Sequence, residues 1–165
     1  MGYLTGSEDY TTHVSSDDGY DFRAGSAVNH RAKGQYSTDL IRERALAIIS
    51  NHPHNASTNS SGLFLYLPFQ AVHAPLQAKP GWQRKFTRKS FPAGKAGENR
   101  FIYAAMVLEM DASVGAIADG LKSSGLYNNS VLLVSSDNGG EPSNGGYNWP
   151  YVPLYSITIF MRSVR

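Results

Sequence analysis

Apolar residues along this chain fall into two helical stripes and two short continuous runs. Between positions 38 and 51, Ile41, Ala45, Ile48 and Ile49 return every three to four residues, and Leu40 and Leu46 broaden the stripe. That spacing predicts an amphipathic helix, with Ser37 or Thr38 as N-cap and Pro53 as stop. A longer stretch, 98–123, carries Ile102, Met106, Met110, Val114, Ile117 and Leu121 at helical spacing, with Phe101, Ala105, Leu108 and Ala112 on the adjoining face. A largely buried helix is expected there, with its methionines as core residues and Gly125 just past its end. Two short apolar runs lack this period. Residues 63–67 (Leu-Phe-Leu-Tyr-Leu) and 131–134 (Val-Leu-Leu-Val) predict strands, the second a buried one. Helix then strand, twice over, predicts an α/β fold with a mostly parallel sheet.

Both predicted strands end in residues that can do chemistry. The run at 131–134 is followed by Ser135, Ser136, Asp137, Asn138, Gly139 and Gly140. Open α/β sheets place ligands at such strand ends. Asp137 and Asn138 offer hard oxygen donors of the kind Ca²⁺ or Mg²⁺ takes. The two glycines allow positive φ, which would let the loop fold back. Asn-Gly after an apolar run equally fits a hairpin turn, and these ten residues alone leave both readings open. The run at 63–67 leads into Pro68, Phe69, Gln70, Ala71, Val72 and His73, with small neighbours and Pro75 around the imidazole. His13, His30, His52 and His54 carry no such context. They read as surface or hydrogen-bonded residues, and Glu109 and Asp111 as structural groups within a helix.

Several segments, in order along the chain, together resemble the sulfatase family, most closely its arylsulfatase B-like branch. They are Gly2-Tyr-Leu-Thr-Gly-Ser-Glu-Asp-Tyr10, Asp21-Phe-Arg23, Gly34-Gln-Tyr-Ser-Thr-Asp-Leu40, Gln70-Ala-Val-His-Ala-Pro-Leu-Gln77, Lys122-Ser-Ser-Gly-Leu-Tyr-Asn-Asn-Ser130, Ser136-Asp-Asn-Gly-Gly140 and Asn148-Trp-Pro150. The resemblance implies part of an alkaline-phosphatase-like α/β/α sandwich. It implies a partial catalytic domain over residues 1–150, followed by a divergent tail over 151–165 that does not match the family. An edge strand at 155–160 is physically allowed within that tail. The implied chemistry is calcium-dependent hydrolysis of a sulfate ester. Asp137 and Asn138 would supply metal oxygens, and His73 would protonate the departing oxygen. A sulfated saccharide or aryl sulfate would be the substrate. The family's nucleophile is a formylglycine made from Cys, occasionally Ser, in a Cys-x-Pro-Ser-Arg-like segment. This chain has no Cys, so formylglycine is absent from it and the 165 residues alone are expected to be inactive. That segment and the family's Asp-Asn pair partner, an N-terminal Asp-Asp, would lie upstream. Two alternatives stay open: a non-catalytic sulfatase-like protein binding anionic saccharides, and a phosphatase or phosphodiesterase of the same superfamily.

Composition narrows the partners. A length of 165 with 41% hydrophobic residues suits one globular unit. A net charge of +2 gives no reason to expect nucleic acid or an anionic membrane as partner. No membrane span and no signal peptide are expected from the apolar runs or from the first nine residues. Asn55, Asn59 and Asn128 each begin an Asn-x-Ser sequon. Such sites suit a glycoprotein, and a lysosomal or secreted location would follow for a complete parent. Residues 82–91 hold four cations among three aromatics, a stretch that could receive a sulfated saccharide or simply form a solvated loop.

Overall fold

A computed structural model of the chain describes residues 1–17, 19–52, 62–147 and 159–163. Its scaffold is a pair of packed helices, α1 (Ser37–Asn51) and α3 (Gly94–Ser123), with the short α2 (Pro80–Gln83) against α3. The expected apolar stripe of α1 is the one that packs. Ala45 and Ile49 meet Ile117 and Leu121 of α3 in a buried cluster. At their closest, Gly120 lies so near Leu46 that an added Cβ would stand 2.7 Å from its Cδ2.

The residues 62–70 run extended across this cluster with no assigned ladder. Their side chains nonetheless alternate. Leu63, Leu65, Leu67 and Phe69 pack on the helices, while Phe64 and Tyr66 point outward at 90% and 76% exposure. The segment thus alternates as a strand would, but the strand expected at 63–67 is not part of a ladder among the described residues. The second run does form a strand, β3 (Val131–Ser135). It is not the buried strand expected: Val131, Leu133 and Val134 are exposed. β3 pairs antiparallel with β4 (Ile159–Ser163), and β1 (Arg23–Ala24) pairs antiparallel with β2 (Ala27–Val28). Both ladders among the described residues are thus antiparallel, where a mostly parallel sheet was expected. The expectation rested on the helix–strand order alone, which does not specify which strands pair. The α/β class itself stands.

Helix ends differ from expectation for local reasons. Neither Ser37 nor Thr38 caps α1: Ser37 is its first helical residue, with its hydroxyl donating to Gln70 Oε1 at 2.9 Å, and Tyr36 takes the N-cap position without a side-chain bond. The longer helix begins at Gly94 rather than near 98, its first turn being polar and glycine-rich. Its C-terminus follows the sequence. Gly125 adopts φ +71°, its N–H donates to Lys122 O, and Leu126 N–H donates to Leu121 O, the paired bonds of a Schellman ending. Leu126 then packs on the Leu121 cluster.

α3 is long and apolar enough, by length and composition, to cross a membrane. Only 28% of its most apolar window is buried, so α3 is not the largely buried helix that the sequence predicts but one that packs along one face. One face carries Met106, Glu109 and Ser113, all buried, and Glu109 is ion-paired at 2.6 Å with Lys79. A carboxylate placed mid-helix and paired across to another element fits a layered domain.

Candidate active site

The turn bearing His73 is held by the two segments that precede it in the sequence. Tyr10, fully buried, lies with its ring stacked on Tyr36 at 5.1 Å. The Tyr10 hydroxyl reaches two carbonyls of the turn, His73 O at 2.8 Å and Gln70 O at 3.1 Å. Tyr10 N–H donates to Gln77 Oε1 at 2.8 Å, and Tyr36 hydroxyl donates to Gln77 O at 2.6 Å. The Gln70 amide donates to Glu8 O, and the Gln77 amide to Asp9 Oδ2. Both ends of the turn are therefore clamped by hydrogen bonds that span more than thirty residues of sequence.

The clamp has its own foundation. His13, buried with φ +58°, faces Glu8 Oε1 through Nδ1 at 2.9 Å. Its Nε2–H donates toward Ala32 O and Gln35 O. Asp9 Oδ1 accepts from Thr11 and Thr12 N–H, and these bonds, with that from Gln77, outweigh burial and lower its pKa to about 2. Asp21 accepts from Arg23 Nε and from Leu4 and Thr5 N–H, which lowers it to about 2 as well. Phe22 packs on the His13 ring at 4.3 Å. The Glu-Asp-Tyr, Asp-Phe-Arg, Gln-Tyr-Ser and Gln-Ala-Val-His segments thus converge on one cluster.

His73 itself is exposed. Its N–H donates to Gln70 O, closing the turn. Its Nδ1 lies 2.7 Å from Ala74 O. A carbonyl only accepts, so Nδ1 carries the hydrogen and Nε2 is left facing solvent. Asp137 and Asn138 sit on the turn directly after β3, both exposed. Asp137 Oδ1 accepts from Asn138 N–H at 2.8 Å; the Asn138 amide donates to Gly139 O; Ser136 hydroxyl donates to Asn138 O. That leaves Asp137 Oδ2 and Asn138 Oδ1 uncommitted among the described residues. Gly139 and Gly140 do not take positive φ; the left-handed residue of this loop is Gly145, at φ +83°. A Cβ there would meet Arg100 backbone at 2.9 Å. No hydrogen bond or ion pair joins His73 to Asp137 or Asn138 among the described residues.

As a test for a hard cation, the donor chemistry fits in part. Two uncommitted oxygens are in place, whereas Ca²⁺ takes about 6–8. No group of three or more His, Asp or Glu able to hold a metal occurs among the described residues. Asn128 is exposed in a single turn just before β3, accessible as a sequon requires; Asn55 and Asn59 lie outside the described residues.

Sequence reasoning did not single out Lys79, which bonds Asp39 Oδ2 and Glu109 Oε1 beneath the Tyr36 ring. Burial alone would depress Lys79, but the two carboxylates hold it above its ordinary value; burial raises Glu109 despite Lys79. The basic-aromatic stretch folds against α3. Arg88 lies over Phe101, and Phe86 and Phe91 meet edge to face. Beside it a groove of about 530 Å³ is lined by Phe86, Arg100, Tyr103, Val107, Asp111 and Tyr147.

The sulfatase family model matches residues 1–152, and the chain belongs to the sulfatase family. Arylsulfatase J of Mus musculus is 40% identical over 155 residues, covering 91% of this chain and 24% of its own length. N-acetylgalactosamine-6-sulfatase of Mus musculus is 30% identical over 129 residues, covering 76% of this chain and 22% of its own length. The chain therefore spans about a quarter of the length of these relatives. Among solved structures, Ps i-CgsB in complex with k-i-k-neocarrahexaose superposes with a TM-score of 0.79 at 24% identity, over 98% of this chain and 38% of that one. That likeness places the chain in the sulfatase fold.

Proposed function

We propose that these residues supply one side of a calcium-dependent sulfate-ester hydrolase site. The observation that carries the reading is His73. Its Nδ1 hydrogen is committed to Ala74 O, so the exposed Nε2 is the atom left to hold and deliver a proton. In its protonated form that ring donates to the oxygen leaving sulfur as the ester bond breaks. Asp137 Oδ2 and Asn138 Oδ1 offer oxygens to Ca²⁺, which when bound would neutralise sulfate charge. A sulfated saccharide or an aryl sulfate is the substrate class. The cations and rings of residues 82–91 and the neighbouring groove give an anionic sugar ion pairs and stacking faces. With no cysteine to become formylglycine, the 165 residues carry the acid and metal side without the nucleophile.

The test uses 4-nitrophenyl sulfate. The 165-residue chain is expected to match a buffer blank. In a form of the protein that does turn the ester over, Asp137→Ala is expected to weaken Ca²⁺ binding, measured by calorimetry, and to abolish turnover. Turnover by the 165 residues that disappears in His73→Ala would overturn the assignment of inactivity. Unchanged Ca²⁺ affinity in Asp137→Ala would remove that residue from the metal site.

A further inference from the structure

We propose that Tyr10 is a positioning residue for His73, fixing which ring nitrogen of His73 is free; its relevance to catalysis rests on the proposed role of that histidine. The Tyr10 hydroxyl has one proton and two carbonyls in reach, His73 O at 2.8 Å and Gln70 O at 3.1 Å. It therefore holds the peptide plane that follows His73 as well as the start of the turn. The next carbonyl along, Ala74 O, is the acceptor that takes the Nδ1 hydrogen at 2.7 Å. If the His73–Ala74 plane rotates, that acceptor moves and Nδ1 loses its partner. The ring is then free to carry its neutral-state hydrogen on Nε2, the atom a substrate would meet.

Tyr10 suits this task because it cannot itself move. It is fully buried, stacked on Tyr36, and tied by its own N–H to Gln77 at the far end of the same turn. Burial also pushes its phenol well above the ordinary tyrosine range, so the hydroxyl stays protonated and remains a donor. Tyr36 provides the matching control. It shares the stack and the burial, but its hydroxyl donates to Gln77 O and not to His73.

The experiment is a long-range ¹H–¹⁵N spectrum of the histidine rings in the 165-residue chain at neutral pH. The wild type and Tyr36→Phe are expected to show His73 with its hydrogen on Nδ1. Tyr10→Phe is expected to show a mixture shifted toward the Nε2 form. An unchanged His73 ring in folded Tyr10→Phe would overturn the proposal. So would an equal shift in Tyr36→Phe, which would mean that the cluster acts only as general support. Should Tyr10→Phe not fold as this chain, the same change is measured in a form that hydrolyses 4-nitrophenyl sulfate. There kcat is expected to fall about tenfold, the scale of one lost hydrogen bond, with KM unchanged; an unchanged kcat would overturn the proposal. A kcat that survives His73→Ala would refute the role of the histidine in catalysis but leave the ring spectrum, and this inference, standing.

Discussion

Asp21 shows how single residues hold this cluster and where they release it. Its carboxylate accepts from Arg23 and from the backbone of Leu4 and Thr5, and its pKa is lowered from 3.8 to about 2. For Asp9 burial alone would raise the pKa, but the hydrogen bonds from Gln77, Thr12 and Thr11 together outweigh it and lower it to about 2. A folded pKa below the unfolded one means that the unfolded chain binds more protons in between. The stabilisation is therefore complete above about pH 4 and is lost as pH falls through the folded value near 2. The amide resonances of Leu4 and Thr5 are expected to titrate with a midpoint near 2; a midpoint at 3.8 would show that Asp21 does not hold them in solution. At this scale the sequence singled out His73, Asp137 and Asn138 as candidates, because each lies in the loop that follows an apolar run. Tyr10, Gln70 and Gln77 lie in the segments that carry the family resemblance, but their partners lie up to 68 residues away. No periodicity or spacing reports a bond of that separation.

Among the elements, α3 depends on a glycine at its first turn. A Cβ on Gly97 would stand 1.7 Å from Pro92 O, a backbone atom with no rotamer to change. Gly97→Ala is expected to lose about 1–3 kcal/mol in denaturant unfolding, overpacking outweighing the gain of about 1 kcal/mol in helix propensity. Gly120→Ala is the contrast, since its obstacle is the end of the Leu46 side chain. Equal stability of the two variants would contradict this reading of the helix start. Helix cores and the Schellman ending were legible because local periodicity and one glycine specify them. The start of α3 was not, because Gly94 to Gly97 carries no apolar period. The partners of β3 and of residues 62–70 were not legible either. Alternation tells which side chains face the helices, but pairing depends on which other strand is within reach.

At the scale of the whole molecule, the exposed apolar side chains among the described residues include Phe64 and Tyr66 on one extended segment, and Val131 and Leu133 on β3. Exposed rings and aliphatic side chains on neighbouring extended backbone favour association. Each of these segments leads to one half of the proposed site, the first to His73 and the second to Asp137 and Asn138. The helices bury the inner face of the first segment, and the Tyr10 cluster fixes the turn at its end. The fold thus presents a histidine with a defined free nitrogen, and the oxygens proposed for the metal, Asp137 Oδ2 and Asn138 Oδ1, come from a separate turn. The most direct measurement is steady-state hydrolysis of 4-nitrophenyl sulfate by His73→Ala in a form of the protein that turns the ester over. The account predicts a kcat lower by about a hundredfold or more with KM nearly unchanged, because a proton donor acts in the transition state. Full kcat with only a raised KM would contradict it and make His73 a residue that merely binds the sulfate.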